Sequence, residues 1–548
     1  MADRQPGSEM RRSVAAPAVV VLLSAIAGAW LLQRGIDRSD NMYVRVRVLE
    51  EVMERVETSF VEEVDPTSLT NSAIDAIIRD LGDPHTSFIP AADYENLRIR
   101  TEGEYGGVGL EVTDGEDFVT VVSAIPGGPS ERAGIRAGDR FYEIDGMPAD
   151  TLLTDAAVAL LRGQPGTTVN VKMLRPGMDE PISFTIQREV IRLMAVPFST
   201  MLDDDVGYVP LRAVQETSSD EVSAALDSLQ SAGMRALIFD LRGNPGGLLD
   251  EGIAVSDLFL DPGQAIVETR GRGAGQNGTY DARRPDRYPG LPVVVLVDGA
   301  SASAAEIIAG ALQDHDRAVV IGETTYGKGS VQSLYPLTGG DVLRLTTARW
   351  YTPLGRSINL DRSGLPIDTT EMPRLSLSGQ PVERPNLTGR PEYTTAAGRM
   401  VYGGGGIPPD LYVAPETMET SEVRGAQHLF LSAGAFSQAI LNGAVAYQQA
   451  HPDLEPGFTL SDADLDVFFG EMREWGSTVS REDFELAERY VRYHLEREIA
   501  LQKWGEAGQF RQSLRYDRQV SRALEVLHDV RTPAELRSAV EVAGADRS

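Results

Sequence analysis

The sequence predicts a multidomain α/β protein, and three observations carry that expectation. At 548 residues the chain is too long for one ordinary core. From Val206 onward apolar strands alternate with amphipathic helices, the pattern of crossover connections in a mainly parallel sheet. Two stretches break that alternation: a β-rich segment over 99–190 and a helical one over 425–540.

Taken in order, the chain opens with a tail over 1–13 containing Arg4, Arg11 and Arg12, then an uncharged apolar run from Val14 to Leu32, long enough to cross a bilayer as a helix. Basic residues ahead of such a run favour a cytoplasmic tail and an exported remainder. The expectation is an anchor in the inner (cytoplasmic) membrane with the bulk of the chain periplasmic. Ala25-Ile26-Ala27 and Ala27-Gly28-Ala29 also have the form of signal-peptidase sites, but Trp30-Leu31-Leu32 carries the apolar run past both.

Residues 42–98 read as a helical region, with Val48, Val52, Val56 and Phe60 at every fourth position among Arg47, Glu51 and Arg55. It closes on the turn Gly82-Asp83-Pro84-His85, where a lone histidine reads as structural. Over 99–190 the short runs FVTVVSAI, VNVKML and ISFTI, separated by Gly/Pro turns, read as strands, with a helical stretch from Asp155 to Arg162. The α/β core spans 191–415 and includes the strands GYVPL, ALIFDL and VVVLV. Within it, 361–401 is rich in Pro, Arg, Ser and Thr and reads as a long loop or insertion. The amphipathic stretches FSQAILNGAVAYQQ and DFELAERYVRYHLEREIALQKW mark the C-terminal helical domain, expected to pack on the body or on another subunit.

Composition removes several function classes. With 51 basic against 81 acidic residues the formal charge is −30, which repels polyphosphate, so no nucleic-acid partner is expected. Cysteine is absent, so disulfides, a thiol nucleophile and thiolate metal sites are excluded. The six histidines lack ligand spacing, and no metal or cofactor is expected.

Chemistry concentrates in two segments. Val293 to His315 (VVVLVDGASASAAEIIAGALQDH) reads as a buried strand, a tight turn and a helix starting within Ser301 to Ala305. A serine there lies beside unpaired helix N–H groups, which stabilise an alkoxide and the oxyanion of acyl transfer. Either Ser301 or Ser303 fits, and either could instead be an ordinary N-cap. In GETTYGKGSVQSLYPL, Lys328 lies between two glycines. Only Lys172, Lys328 and Lys503 among the 51 basic residues are lysine, and a desolvated lysine, unlike arginine, can lose its proton and act as a base. GKGS also faintly echoes a phosphate loop, but the full pattern is not met. LRGNPGG, Leu241 to Gly247, follows a neighbouring strand and offers backbone N–H groups at Gly246 and Gly247.

Together DLRGNPGGLLDE, ASASAAEIIAGALQDH, GETTYGKGSVQ, TTARWYTPLGRSI and GDPHTSFI resemble the carboxyl-terminal processing peptidase (tail-specific protease) family over roughly Tyr43 to Val413. The resemblance implies a crotonase- and Clp-protease-like α/β core with an inserted PDZ domain, and a serine endopeptidase with a Ser/Lys dyad. The family's 25-residue spacing selects Ser303 over Ser301 as nucleophile, with Lys328 as base. It also implies that Gln332 orients the lysine, that Ala304 and Gly247 or Gly246 form the oxyanion hole, and that Asp314 has a weaker supporting role. EYGGVGLEV and GPSERAGIRAGDRFYEIDG resemble the PDZ signatures. They imply that Gly107, Val108, Gly109 and Leu110 receive a substrate's apolar C-terminus and that Arg162 reports occupancy to the protease core. The expected partners are polypeptides with exposed C-termini, the membrane through the anchor, and a second copy or an adaptor protein. Where the family has a short passage after GRSINL to GIxPD, here Gly406 to Asp410, this chain inserts about forty residues. A non-catalytic peptide-binding scaffold and a crotonase-type acyl-CoA enzyme are the rival readings. Intact Ser303, Lys328 and Gln332 oppose the first; the PDZ-like module and the export signal oppose the second.

Overall fold

The computed structural model describes residue 24 and residues 42–545 apart from 116–117, 151, 177, 179, 204, 361–373 and 432. The tail expected over 1–13 and, but for Ser24, the anchor expected over 14–32 lie outside the described residues. The chain forms two compact units, Met1–Phe88 and Ile89–Ser548.

In the first unit the helical periodicity resolves into α1, Met42–Ser59, and α2, Pro66–Asp80. The break falls at Asp65-Pro66. The Asp65 carboxylate accepts from the Thr67 and Ser68 N–H groups at 3.2 and 2.9 Å, and Pro66 takes the helix position that needs no N–H. Downstream, the Asp83 carboxylate accepts from the His85 N–H and the Thr86 hydroxyl, which shapes the turn.

The second unit begins with α3, Ala91–Glu102, and enters the β-rich module through β1, Glu104–Gly107. The module's sheet runs β2, Leu110–Thr113; β3, Thr120–Ala124; β4, Arg140–Ile144; β5, Thr168–Leu174; and β6, Ile182–Gln187, in that spatial order and antiparallel. Alternate residues Val169, Val171 and Met173 are buried, as a one-sided sheet requires. Helix α4, Thr154–Leu161, closes the small core, and β7, Glu189–Arg192, pairs with β1 so that the module leaves where it entered. Because β2 ends the sheet, one of its edges is open.

The core is a parallel sheet of β8, Val206–Pro210; β9, Ala236–Asp240; β10, Val293–Val297; and β11, Val319–Gly322, aligned through Tyr208, Ile238, Val294 and Val319. These strands are apolar throughout because both faces are covered. On one face Leu237, Phe239, Val293, Val295 and Val320 pack against helices Ser218–Ser231 (α5), Leu249–Asp257 (α6) and Ala304–Asp314 (α7). On the other, Tyr208, Ile238, Val294, Leu296 and Ile321 meet Phe510, Val520, Ala523, Val526 and Leu527 from the end of the chain. An antiparallel hairpin, β12 (Ser330–Pro336) with β13 (Val342–Tyr351), follows the sheet.

The C-terminal helices therefore divide between two cores. Thr420–Leu431, Ala433–Ala450, Asp462–Glu474, Arg481–Leu486 and Glu488–Ser513 (α8 to α12) bury an interior of Leu429, Ala444, Phe468, Phe484 and Leu495. Arg518–Leu527 (α13) and Pro533–Ala545 (α14) instead cover the second face of the parallel sheet. The stretch expected as a loop also contributes structure in its described part. Leu377, 2% exposed, enters the helical interior, and a ribbon of β14, Glu392–Thr394, with β15, Met400–Tyr402, is pinned by Arg399 to Asp316 at 2.7 Å and Asp410 at 2.9 Å.

Because α13 roofs the sheet, Leu527→Ala should destabilise the α/β core itself by about 2–5 kcal/mol. Urea unfolding followed by tryptophan fluorescence and by far-UV circular dichroism should show the same shifted midpoint; loss of α13 alone, with the core transition unmoved, would contradict this packing.

Candidate active site

Parallel sheets place loops at the carboxyl ends of their strands, and the motif residues lie on the loops after β9, β10 and β11. The loop after β9 carries LRGNPGG. Asn244 fixes it from inside: its Nδ2 donates to the Leu211 carbonyl at 2.8 Å, its Oδ1 accepts from the Gly246 N–H at 2.8 Å, and its own carbonyl accepts from the Ala302 N–H at 2.9 Å. Gly246 has φ +88, and a Cβ there would lie 2.7 Å from Ser303 Cβ and 2.8 Å from the Ala304 nitrogen. Only glycine lets this turn lie against the start of α7.

The loop after β10 separates the two serines. Ser301 is fully buried, with its hydroxyl 2.8 Å from the Leu241 carbonyl and 3.1 Å from Asp298 Oδ1 while it accepts from the Asp298 N–H. It is a staple of the turn. Asp298 does similar work, its carboxylate accepting from the N–H groups of Gly243, Ala300 and Ser301. Ser303 differs on both counts: it is half-buried and its hydroxyl caps no helix N–H. Its backbone has φ 54 and ψ −116, whereas every other positive-φ non-glycine residue among those described is an aspartate. Such a conformation costs about 1–3 kcal/mol and persists where the surroundings over-determine it, as at a nucleophile on a strand-to-helix turn.

What over-determines it is Glu306, one turn into α7 and fully buried. Its Oε2 accepts from the Ser303 N–H at 2.8 Å and the Lys328 N–H at 2.9 Å; its Oε1 accepts from the Thr325 hydroxyl at 2.6 Å and the Gly327 N–H at 2.7 Å. One carboxylate thus holds the backbone of both dyad candidates. Burial pushes its carboxyl upward, against the lowering by these same donors. The lysine turn is further set by the Tyr326 N–H on the Ser301 carbonyl, by Trp350 Nε1 on the Lys328 carbonyl at 3.0 Å, and by Ile407 of GIPPD, whose N–H donates to Thr325 Oγ1 at 2.7 Å. Lys328 is half-buried.

The remaining expected residues fall as follows. No hydrogen bond among the described residues uses the Gly247 or Ala304 N–H, whereas the Gly246 N–H is taken by Asn244. Gln332 lies on β12, its amide nitrogen donating to Ser330 Oγ at 2.8 Å and to Thr346 Oγ1 at 3.4 Å. Asp314 ends α7, eleven residues or roughly 16 Å from Ser303, and forms a buried ion pair with Arg356 that ties the helix to the segment after β13. In the module, Gly109 adopts φ +71 beside the buried Val108, whose carbonyl accepts from the Ser130 hydroxyl; Gly107 ends β1 before them and Leu110 opens β2 after them. Arg162 donates to Asn96 of α3 at 2.6 Å and lies 5.4 Å over the Tyr105 ring. Its partners lie on the elements leading into the module.

Reading by motif missed Glu306, Asp298 and the buried pair Asp240–Arg242. The spacing Ser303-x-x-Glu306 is the helix-start signature and could have flagged the first.

An α/β core that presents a strained serine at a helix start, beside a glycine-lined turn and a lysine turn, and that carries a peptide-binding type of β-module, is a serine peptidase architecture. Family comparison agrees: the model of Peptidase family S41 matches residues 205–369 and that of the PDZ domain matches 120–175. A carboxy-terminal-processing protease of Bartonella bacilliformis is 40% identical over 326 residues, 59% of this chain and 74% of that protein. Carboxy-terminal processing protease CtpA of Bacillus subtilis is 31% identical over 362 residues, covering 64% and 76%, and a carboxyl-terminal-processing protease of Synechocystis is 36% identical over 318 residues, covering 56% and 73%. The chain belongs to the carboxyl-terminal processing peptidase family, a family of PDZ-containing serine peptidases whose general property is a Ser/Lys dyad.

Glu323, at the stem of the lysine loop, is half-buried, and burial together with the nearby Asp298 raises its carboxyl to about 7 from an ordinary 4.5. The folded state then keeps a proton that the unfolded chain has released, so stability falls as pH rises between those values and stays reduced above them. Glu323→Gln should match the parent near pH 5 and show a higher urea midpoint at pH 8; a lower midpoint at pH 8 would refute this.

Proposed function

We propose that Ser303 is the nucleophile and Lys328 the general base of a C-terminal processing endopeptidase. The observation that carries this reading is the shared Glu306 carboxylate, which accepts from both their backbone N–H groups together with Thr325 and Gly327. The neutral Lys328 amine takes the Ser303 hydroxyl proton as Oγ attacks the scissile carbonyl. The oxyanion is received by the Ala304 and Gly247 N–H groups, neither of which has an internal acceptor among the described residues. Collapse transfers the proton from the lysine ammonium to the leaving amine. Water, deprotonated by the same lysine, then releases the acyl group and restores the serine. Gln332, on the strand that leaves the lysine turn, steadies the amine in this cycle.

Substrate selection falls to the PDZ domain. An extended C-terminal tail adds to the open edge of β2, with its carboxylate on the N–H groups of Gly107, Val108 and Gly109 and its last side chain apolar. The reading extends to exported clients of an enzyme anchored through residues 14–32, which the apolar run and its preceding arginines support.

An unstructured peptide with an apolar C-terminus should be cleaved by the parent and not by Ser303→Ala. Lys328→Ala should lower kcat by about 10²–10⁴-fold, with peptide affinity for the PDZ domain unchanged. Parent-like turnover in Lys328→Ala would remove the lysine from the mechanism.

A further inference from the structure

The catalytic turn after β9 has an anchor outside the protease core. Arg242, four residues before Gly246, is held between two carboxylates. On one side its Nε and Nη2 donate to Asp240, at 2.9 and 2.7 Å. On the other its Nη1 and Nη2 donate to Asp517, at 2.9 and 2.8 Å, and Nη1 also donates to Gln519 Oε1 at 2.9 Å. Asp240 is itself buried, accepts from the Tyr208 hydroxyl at 2.6 Å, and is held below the usual carboxylate range by Arg242 although burial alone would raise it. Asp517 stands 275 residues away at the start of α13, the helix that roofs the back of the sheet. Its Oδ1 also accepts from the Val520 N–H at 3.0 Å.

We propose that Asp517 is a positioning residue for catalysis: through its two-pronged bond to Arg242 it holds the oxyanion turn in register. This rests on the assignment of Ser303 and the turn made above. The argument is one of competing acceptors. Arg242 is 18% exposed, and without Asp517 each Nη group keeps only one partner, Gln519 or Asp240, so the guanidinium competes locally for a further acceptor. Besides Asp240 and Asp517, the carboxylates lining the same cavity of about 320 Å³ are Asp298, Glu323, Glu416 and Glu506, of which Asp298 accepts from the N–H of Gly243, the residue next to Arg242. Asp298 already holds the N–H groups of Gly243, Ala300 and Ser301, which join the oxyanion turn to the nucleophile turn. A guanidinium that swings toward Asp298 takes acceptor capacity from that joint and drags residue 242 with it. The turn can then no longer hold Gly246 against Ser303 and Ala304.

The alternative is that Asp517 serves only as the N-cap of α13. Asp517→Ser separates the two, because serine caps a helix as well as aspartate does but is too short to bridge Arg242. With the full chain, Asp517→Ser should keep its melting temperature within a few degrees, lower kcat at least tenfold, and leave KM and PDZ-peptide affinity within about twofold. A peptidyl boronate, which mimics the tetrahedral oxyanion, should lose affinity by the same factor as kcat/KM. Asp517→Asn, isosteric and still able to cap, should fall between the parent and the serine variant. Parent-like kcat in a folded Asp517→Ser enzyme, or boronate affinity unchanged while turnover falls, would overturn the proposal. Because Ser303→Ala is assayed separately, either result leaves the nucleophile assignment standing.

Discussion

The active site depends on one buried carboxylate. Glu306 is satisfied by three backbone N–H groups and one hydroxyl. Burying a carboxylate is costly unless its lone pairs are filled, and here the groups that fill them belong to the two turns that must be brought together. The desolvation cost of Glu306 and the backbone strain at Ser303 are thus offset by the same set of bonds. Neither turn can shift without leaving a buried donor or acceptor unpaired.

A second constraint acts beneath this one. The sheet that carries the catalytic loops needs cover on both faces, and its back is roofed by α13 and α14, more than 170 residues after Lys328. The ends of the strands are tied to that roof through Asp240, Arg242 and Asp517, and to the GIPPD segment through Thr325 and Ile407. The helical tail and the described part of the insertion are therefore parts of the catalytic body. Leu377 and Arg399 show how: one fills the helical interior, the other bonds Asp316 at the end of α7.

Much of this was legible in the amino-acid sequence, for reasons that differ by residue. Strand β10 is uniformly apolar, and β9 is so up to its terminal Asp240, because both faces are covered, so ALIFD and VVVLV announce a parallel sheet. Lys328 stands out because the chain writes arginine almost everywhere else. The choice between Ser301 and Ser303 was not open to local reading, since both suit a helix start and only the tertiary acceptors at Leu241 and Asp298 commit one of them. Likewise Gly246 and Gly247 look alike in sequence, and the side chain of Asn244 distinguishes them. Glu306 was hidden in an ordinary capping spacing. The Arg242–Asp517 bond spans 275 residues, and 374–401 has no apolar period because, beside single buried residues such as Leu377, its anchors are arginines and main-chain bonds.

The most direct test of this account is single-turnover acylation of Ser303 by a peptide ester in Glu306→Gln. Glutamine keeps the volume but replaces one of the two acceptor oxygens by an N–H₂ that faces groups which are themselves donors, so one of the two pairs of turn bonds is broken. The account predicts a folded enzyme with parent-like PDZ-peptide affinity whose acylation rate falls at least a hundredfold. Acylation within threefold of the parent would show that the nucleophile and base turns hold their places without that carboxylate.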